Sequence, residues 1–499
     1  MGLQFQSSSC RCLRAAAREV CGAELTQEVR LRDGMPDIGR VLTSWGQVVL
    51  RSKQWQGNLV TVTGGIMVWI LYAPEDGTPP RCMDAWVPFQ LKWELEESSD
   101  DGPIRVFPLL RFVDSRGIAS RKMMIRAGVA ALGEMLTPTQ VQIYAPEALP
   151  EDVQILKNTY PVRLPKEAGE KTFLMDEDLQ LPTGAVQPER LLAYTVSPQI
   201  QEKRVAGDKA VLRGTARIHL IYRCEEGKIH AVDMELPISQ FAQLEETYGP
   251  DAQADMMMGV TSLELLENEG TQLRVKCGMV AQYLITDRYL AEVAEDAYSP
   301  CRSVELCLEE LELPSVLEQR SELIPIQQKA PGLEGNMVDL SFLPDFPRQN
   351  RVGDQIALEI PGQFQVLYYA PDGSLQGSTI RWEQGIQMMA DPESRMCYIP
   401  QPVGTLQMAA GPEELNVNGQ MKMEIQAWNQ TSIPVVTGLE LGQLEEQDPM
   451  RPSLILCRAK DHSIWDIAKQ CGSTVQEIER INKLRGQPAA DQMLLIPVI

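Results

Sequence analysis

The sequence predicts a mainly β protein, with tandem β-rich repeat domains of sandwich or barrel type followed by a small C-terminal βααβ domain. Three observations lead to this prediction. Segments separated by 150 residues resemble one another, and these segments alternate apolar and polar residues as strands do. The end of the chain instead carries two short amphipathic patterns of helical period.

The composition bounds the class of protein. With 499 residues, of which 44% are hydrophobic, the chain can bury several cores. Its formal charge of −22 disfavours nucleic acid and anionic lipid surfaces as partners, because like charges repel. The first twenty residues lack the apolar core that a signal peptide needs, and the longest apolar run, residues 66–73, is too short to cross a bilayer. We therefore expect a cytoplasmic protein without a transmembrane segment.

Residues 1–24 are rich in alanine and predict an N-terminal helical segment. They hold Cys10, Cys12 and Cys21, a cluster within a total of 11 cysteines. A closed zinc site needs four nitrogen or sulfur ligands, so free thiols are favoured over a metal site, and no cofactor is expected. The odd number and irregular spacing of the cysteines also favour reduced thiols over a disulfide framework.

The repeats define the domains of the acidic body. "GNLVTVTGGIMVWILYAPEDG" begins at Gly57 and resembles "GDKAVLRGTARIHLIYRCEEG", which begins at Gly207. A third and more divergent copy, "GDQIALEIPGQFQVLYYAPDG", begins at Gly353. Each copy ends in an Asp-Gly or Glu-Gly pair, which favours a tight hairpin turn. The domains are predicted at residues 25–145, 165–297 and 300–440.

The faces of the repeated strands differ between the copies. The second face of the first copy carries Met67, Trp69 and Leu71, so this strand is apolar on both sides. Such a strand is covered either by the rest of the protein or by a partner, and internal burial is favoured because larger domains commonly cover both faces of a sheet. In the other copies we expect His219, Glu424 and Gln426 on exposed faces.

A separate pattern precedes the first repeated strand. It consists of Leu31, Gly34, Pro36, Asp37, Ile38, Val41 and Leu42. This pattern resembles the lead-in of the SPOCS-type domain, which is found in proteins of spore coat assembly. The second copy lacks counterparts of Asp37 and Ile38, and the third has no clean lead-in.

The chain ends in a predicted domain at residues 453–499, after an acidic, Pro-bearing linker at residues 441–452. Ser463 can cap a first helix with one apolar face, and Gly472 suits the position just past its end. Thr474 begins a capping-box pattern for a second helix. Apolar segments on either side of the two helices predict two strands.

The order strand, helix, helix, strand resembles the LysM domain. The matching residues are Asp461, Ser463, Ile464, Trp465, Ile467, Ala468, Gly472, Ile481, Asn482, Leu484, Ile496 and Pro497. The resemblance implies a shallow groove between two loops that binds N-acetylglucosamine glycans. The candidate partner-binding or glycan-binding residues are Lys460, Asp461, His462, Ser463, Ile464, Asn482, Leu484, Arg485 and Gln492. We expect Trp465 to pack in the core, since so small a domain needs every large apolar side chain.

Catalysis is not indicated by the sequence. The three histidines, His219, His230 and His462, are too scattered to suggest a catalytic triad or a zinc centre. We therefore predict no enzyme, no catalytic residue and no metal ligand. A hydrolase with its site in one of the repeats is a third hypothesis.

SPOCS-like repeats followed by one LysM domain resemble, over nearly the whole chain, the SipL-like morphogenetic proteins of clostridial sporulation. The resemblance implies a mother-cell protein at the forespore surface, whose LysM domain binds the coat basement-layer ATPase. Its β domains would contact other spore coat proteins or further copies of the chain. The alternative function is binding of peptidoglycan or a chitin-type glycan in the spore cortex or cell wall.

Overall fold

The protein is mainly β, as the sequence predicts. The computed structural model describes residues 2–96, 102–146, 149–267, 273–331, 333, 335–390, 394–410, 414–444, 452–459, 462–484, 488 and 491–499. Among these residues, no helix has the length and apolar character needed to span a membrane.

Two antiparallel sheets form the first unit. Its strands are β2 (Gln6–Arg30), β3 (Ile38–Gln56), β4 (Leu59–Pro74), β5 (Arg81–Glu94), β6 (Ile104–Ala119) and β7 (Lys122–Ala145). One sheet has the order β3-β4-β5 and the other β2-β7-β6, and contacts between β3 and β6 join the two sheets. The first long strand therefore pairs with the last one, which closes the unit.

The second unit repeats this arrangement. Its strands are β8 (Gln154–Leu179), β9 (Pro188–Ala206), β10 (Lys209–Cys224), β11 (Ile229–Gln243), β12 (Gln253–Glu267) and β13 (Leu273–Tyr298). The sheets have the orders β9-β10-β11 and β8-β13-β12. Each strand thus corresponds to the strand six places earlier in the chain.

The third unit diverges at its second strand, which is split in two. Its strands are β14 (Val304–Pro331), β15 (Asn336–Pro344), β16 (Arg348–Val352), β17 (Gln355–Tyr369), β18 (Leu375–Met389), β19 (Arg395–Ala410) and β20 (Glu414–Leu441). β17 pairs with β15, β16 and β18, while β20 pairs with β14 and β19. The short strand β1 (Gly2–Gln4) adds to the same sheet beside β20.

The predicted hairpins form at the positions of the Gly-containing pairs. Gly77, Gly227 and Gly373 have φ angles of 74°, 82° and 80°. These angles lie in the left-handed region, where glycine has no steric penalty. Each pair therefore supplies the turn between the central strand of a unit and the strand that follows it.

The predicted N-terminal helix is wrong. Residues 6–30 form β2, which pairs with β7 along its whole length. Alanine favours helices only weakly, and this preference is overridden when alternate side chains of the strand pack against a core, as those of Ala17 and Ala23 do. Cys10 and Cys12 consequently lie on a strand.

The ends of the long strand pairs converge into one bundle. We call these pairs the arms: residues 6–13 with 138–145, 154–164 with 287–298, and 304–313 with 431–441. Apolar side chains from all three arms form a shared cluster, namely Cys12, Val141, Ile143, Val162, Leu164, Ala291, Val293, Leu311, Leu313, Ile433 and Val435. The arms therefore join the three units.

A buried chain of ion pairs also crosses the units. Arg105 of the first unit, only 1% exposed, bonds Glu134 of its own unit and Asp255 of the second, the latter at 2.5 Å. Lys203 lies 2.8 Å from Asp255 and 3.1 Å from Glu424 of the third unit. Although burial alone would lower the pKa of Lys203, the two carboxylates raise it, so the ammonium stays charged.

This chain of ion pairs corrects the prediction that the second face of β20 is exposed. Glu424 and Gln426 are 6% and 3% exposed. The alternation along β20 is as the sequence predicts. However, the polar face packs against the second unit instead of facing water, as the contact of Lys203 with Glu424 shows. A polar face can be buried where each charge finds a partner.

The apolar second face of β4 is covered by the protein itself, as predicted. Trp69 is 4% exposed, and its ring centre lies 4.8 Å from that of Tyr194 in the second unit. Trp69 and Leu71 belong to the hydrophobic cluster that also contains the core of the second unit. The first and second units therefore share a core.

Candidate functional site

The C-terminal residues form a small domain, which we call the tail. It consists of β21 (Leu454–Arg458), α1 (Ile464–Cys471), α2 (Val475–Asn482) and β22 (Met493–Pro497). The two strands pair antiparallel, and both helices pack on one side of them. The predicted βααβ order is confirmed.

The helices begin and end at the residues that the sequence indicates. Ser463 Oγ accepts a hydrogen bond from the Asp466 N–H at 3.1 Å, and the Asp466 carboxylate accepts one from the Ser463 N–H at 3.2 Å. Thr474 caps α2 by accepting from the Glu477 N–H at 3.3 Å. Gly472 ends α1 with a φ of 63°. Local side-chain chemistry therefore fixes the positions of both helices.

The tail has a hydrophobic core of its own. Its fully buried members are Ala459, Ile464, Ile467, Ala468, Ile478, Leu494 and Ile496, and Tyr298 of β13 belongs to the same cluster. Trp465, which the sequence predicts inside this core, instead lies half-buried at its edge, and its ring is edge-on to that of Tyr298 with 4.8 Å between the ring centres. The tryptophan thus connects the tail to the body.

Polar contacts hold the tail on the end of the second arm. Trp465 Nε1 donates to Asp296 at 2.8 Å, and Lys469 Nζ donates to the same carboxylate at 2.7 Å. Tyr298 Oη donates to the Ser473 carbonyl at 2.9 Å. The sequence does not predict the contact of Trp465 with Asp296, because these residues are about 170 positions apart and no local pattern marks Asp296.

Two of the candidate loop residues are part of the tail's framework. Asn482 Nδ2 donates to the Leu495 carbonyl at 2.7 Å, and its Oδ1 accepts from the Leu495 N–H at 2.8 Å. The amide therefore joins α2 to β22. Ile464, 3% exposed, is a core residue.

The other candidate loop residues have different environments. Ser463 is the helix cap, and Leu484 packs against the tail core. The Gln492 carbonyl accepts from the Ala459 N–H at 2.8 Å, whereas the side chain of His462 is exposed. Lys460, Asp461 and Arg485 lie outside the described residues. Within the described loops, His462 is the candidate best placed to contact a ligand.

The outer face of the tail sheet is apolar and exposed. Leu454, Leu456, Met493 and Leu495 are 54%, 62%, 47% and 45% exposed. Leu456 and Leu495 are direct partners across the two strands, so these side chains form one patch. We call this patch the outer sheet face. Exposed apolar patches commonly mark surfaces that bind other proteins.

A second cluster of polar groups surrounds a cavity of about 260 Å³ where the three units meet. His219 lies 2.9 Å from Asp233 and 2.9 Å from Asp339 of the third unit. Trp45 of the first unit donates to Asp339 at 2.9 Å. The prediction that His219 is exposed is wrong, because the neighbouring units cover this face of β10.

The charge state of His219 follows from this environment. Burial opposes the imidazolium, but the carboxylates of Asp339 and Asp233 outweigh it and raise the pKa of His219 to about 10. A histidine charged at neutral pH cannot serve as a general base there. Within the described part of the chain, no three His, Cys, Asp or Glu side chains gather in a way that could hold a metal ion.

Comparison with known proteins locates one domain. Residues 187–265 match the family model described as SipL, SPOCS domain. This segment covers β9 to β11 and most of β12 in the second unit, roughly a sixth of the chain. Neither a curated protein nor a solved structure matches the sequence. The match supports a sporulation-related protein of the SipL type.

Proposed function

We propose that the protein is a non-enzymatic scaffold of spore coat assembly, located in the mother cell at the forespore surface. Its tail docks on the coat basement-layer ATPase, and its β-rich body contacts other coat proteins. The SPOCS-domain match of residues 187–265 supports a role in sporulation. The tail, with its own core and an exposed apolar face, supports the docking role.

The observation that carries this proposal is the outer sheet face. Its four large apolar side chains are all at least 45% exposed, and the opposite side of the sheet is covered by the helices. The patch consists of leucine and methionine, whose side chains offer almost no hydrogen bonds to the hydroxyl groups of a sugar. Its chemistry therefore fits an apolar protein surface better than a sugar.

The body is suited to a scaffold because its polar clusters join units. Arg105, Lys203 and His219 each bind carboxylates from more than one unit. These groups stabilise the arrangement of the three units, and Asp296 separately holds the tail on the second arm. Modular contacts made by one rigid body add through effective concentration, which increases the overall affinity of an assembly.

The second candidate function is binding of a peptidoglycan or chitin-type glycan, in the spore cortex or cell wall. The resemblance of the tail to LysM domains favours it, and the exposed His462 lies on the first of the two loops where the glycan would bind. Asn482 is less suited to this role, because its amide is already bonded to Leu495.

Titration calorimetry of the full chain distinguishes the two functions. The protein is titrated with the purified coat basement-layer ATPase of the same organism and, separately, with a chitin oligosaccharide. We expect heat of binding with the ATPase and none with the sugar. Binding to the sugar alone would refute the scaffold proposal and favour the glycan function.

Matched variants identify the face that binds. Leu456→Ser is expected to weaken ATPase binding at least tenfold, because it places a polar group in the centre of the outer sheet face. Leu323→Ser on β14 is the control, since both leucines are 62% exposed. Equal affinities of the two variants would exclude the outer sheet face. The affinity of His462→Ala for the ATPase shows in the same way whether the loop that carries His462 takes part in binding.

A further inference from the structure

The sheet around β17 in the third unit has an open edge. Its last strand, β18, pairs with β17 and with no other strand in the described part of the chain. The first unit covers the beginning of β18, where Arg40 Nη2 donates to the Leu375 carbonyl at 2.9 Å. Next to this contact, the Leu42 carbonyl lies against Gly377. From Thr379 onward, the edge has the form that allows another strand to be added.

The hydrogen bonds of β17 show which backbone groups of β18 face outward. Directly opposed residues of an antiparallel pair exchange either two hydrogen bonds or none. Pro361 lies opposite Glu383, and its carbonyl accepts from the Asp345 N–H at 2.9 Å, on the side away from β18. The N–H and C=O of Glu383 therefore point away from β17. By alternation, so do those of Arg381 and Gly385.

The corresponding strands of the first two units carry a proline at this position. Pro88 of β5 and Pro237 of β11 have the same register as Glu383, because the residues opposite them occupy the same place in the three repeats. These opposite residues are Gly65, Thr215 and Pro361. Proline has no N–H, so it interrupts pairing with an added strand. In the third unit, Glu383 keeps this donor at the edge.

The exposed side chains of the edge are complementary to themselves. Arg381 and Glu383 lie on the exposed face, whereas Trp382 between them points into the core and is 4% exposed. When two copies lie antiparallel about a twofold axis beside Trp382, Arg381 of each copy faces Glu383 of the other, and Thr379 faces Gly385. Moving the axis by one residue would instead oppose like charges, which are destabilising across a strand pair. The charges therefore favour one register.

We propose that two copies of the chain associate by pairing their β18 edges antiparallel. The Glu383 N–H of each copy donates to the Arg381 carbonyl of the other, and the two side chains form an ion pair across the interface. Two sheets thereby become one continuous sheet. The interface uses no residue of the tail, so the proposal goes beyond the docking role and is independent of it. A dimer also carries two tails, which increases its affinity for a surface with many binding sites.

Sedimentation velocity of the full chain at a series of concentrations tests the proposal. We expect a reversible equilibrium between monomer and dimer, with a larger share of dimer at higher concentration. Pairing of one edge with the same edge of a second copy uses up both edges, so association stops at the dimer. A chain that stays monomeric at every concentration would overturn the proposal, and so would assembly into trimers or larger species.

Glu383→Pro supplies the proline that β5 and β11 carry. Because the Glu383 N–H points away from β17, this change leaves the pairing of β18 with β17 intact and removes one donor from each copy. We expect the dissociation constant of the dimer to rise at least about tenfold. Leu456→Ser, on the outer sheet face of the tail, should leave the dissociation constant unchanged. A dimer that is unaffected by Glu383→Pro, or is lost in Leu456→Ser, would show that the copies meet elsewhere.

Charge variants keep the test decisive even when the proline disturbs the fold, which circular dichroism reports. Arg381→Glu and Glu383→Arg each place like charges opposite one another and should weaken the dimer. The double variant exchanges the two charges and should restore the wild-type dissociation constant. The control Glu235→Arg changes an exposed charge on β11, the strand of Pro237, and should have no effect. A double variant that dimerises no better than either single variant would refute the proposed register.

Discussion

Replacing Arg105 by methionine tests whether buried charges hold the three units together. The guanidinium is 1% exposed and bonds Glu134 in its own unit and Asp255 in the second. Methionine preserves most of the apolar volume but removes both ion pairs. Two buried carboxylates are then left with fewer cations than before.

The expected loss of stability depends on the cations that remain beside the two carboxylates. Removing one partner of a buried ion pair typically costs about 3–5 kcal/mol. Here Glu134 keeps Arg18 at 2.5 Å, and Asp255 keeps Lys203 at 2.8 Å. Because neither carboxylate loses its last cation, we expect the lower end, a loss of about 3 kcal/mol in the free energy of unfolding.

The control is Arg32→Met, which removes the surface ion pair of Arg32 with Asp84. These side chains are 68% and 53% exposed, so water screens their attraction and the expected change is below about 1 kcal/mol. Both variants and the wild type are compared by equilibrium urea denaturation, followed by tryptophan fluorescence. A free energy of unfolding of Arg105→Met within about 1 kcal/mol of the wild-type value would show that the buried ion pairs do not hold the units together.

Three further predictions concern other contacts of the body. Trp69→Ser should lower the free energy of unfolding by about 3–5 kcal/mol, because the indole fills the core shared by the first two units; an unchanged melting temperature would contradict this. Asp296→Ala should release the tail and speed tryptic cleavage between the body and the tail, with the body left intact; equal cleavage of variant and wild type would show that Asp296 does not hold the tail. The raised pKa of His219 stabilises the fold fully below its ordinary value of 6.5, and this contribution is lost as the pH rises through about 10. The difference in melting temperature between wild type and His219→Gln should therefore shrink from pH 6.5 to pH 10, and a constant difference would count against the charged histidine.

Local features of the fold were predictable because local chemistry determines them. The turn at Gly77 follows from the conformational freedom of glycine, and the caps at Ser463 and Thr474 follow from hydroxyl groups placed before amphipathic stretches. Alternation along β4 also identified the strand whose two faces are both buried.

Features that depend on distant pairing were not predictable. The alanines of β2 form a strand because β7, more than 100 residues later, supplies their hydrogen-bond partners. Glu424 is buried and His219 is half-buried because units that are remote in sequence cover them. In the candidate site, too, local features were predictable and distant contacts were not. The sequence indicates both helices of the tail but not Asp296, which holds the tail on the second arm.

The pairing of β1 with β20 has a consequence for the order of events during synthesis. Leu3 pairs with Leu439, so the first strand of the chain finds its partner more than 400 residues later. A ribosome has made all three units before this ladder can form, whereas the hairpin of β4 and β5 is complete after 94 residues. Contacts of such long sequence separation form slowly. The sheet formed by β1, β14, β19 and β20 is thus the last part of the body to close, and until then the end of β20 that pairs with β1 is open to pairing with other chains.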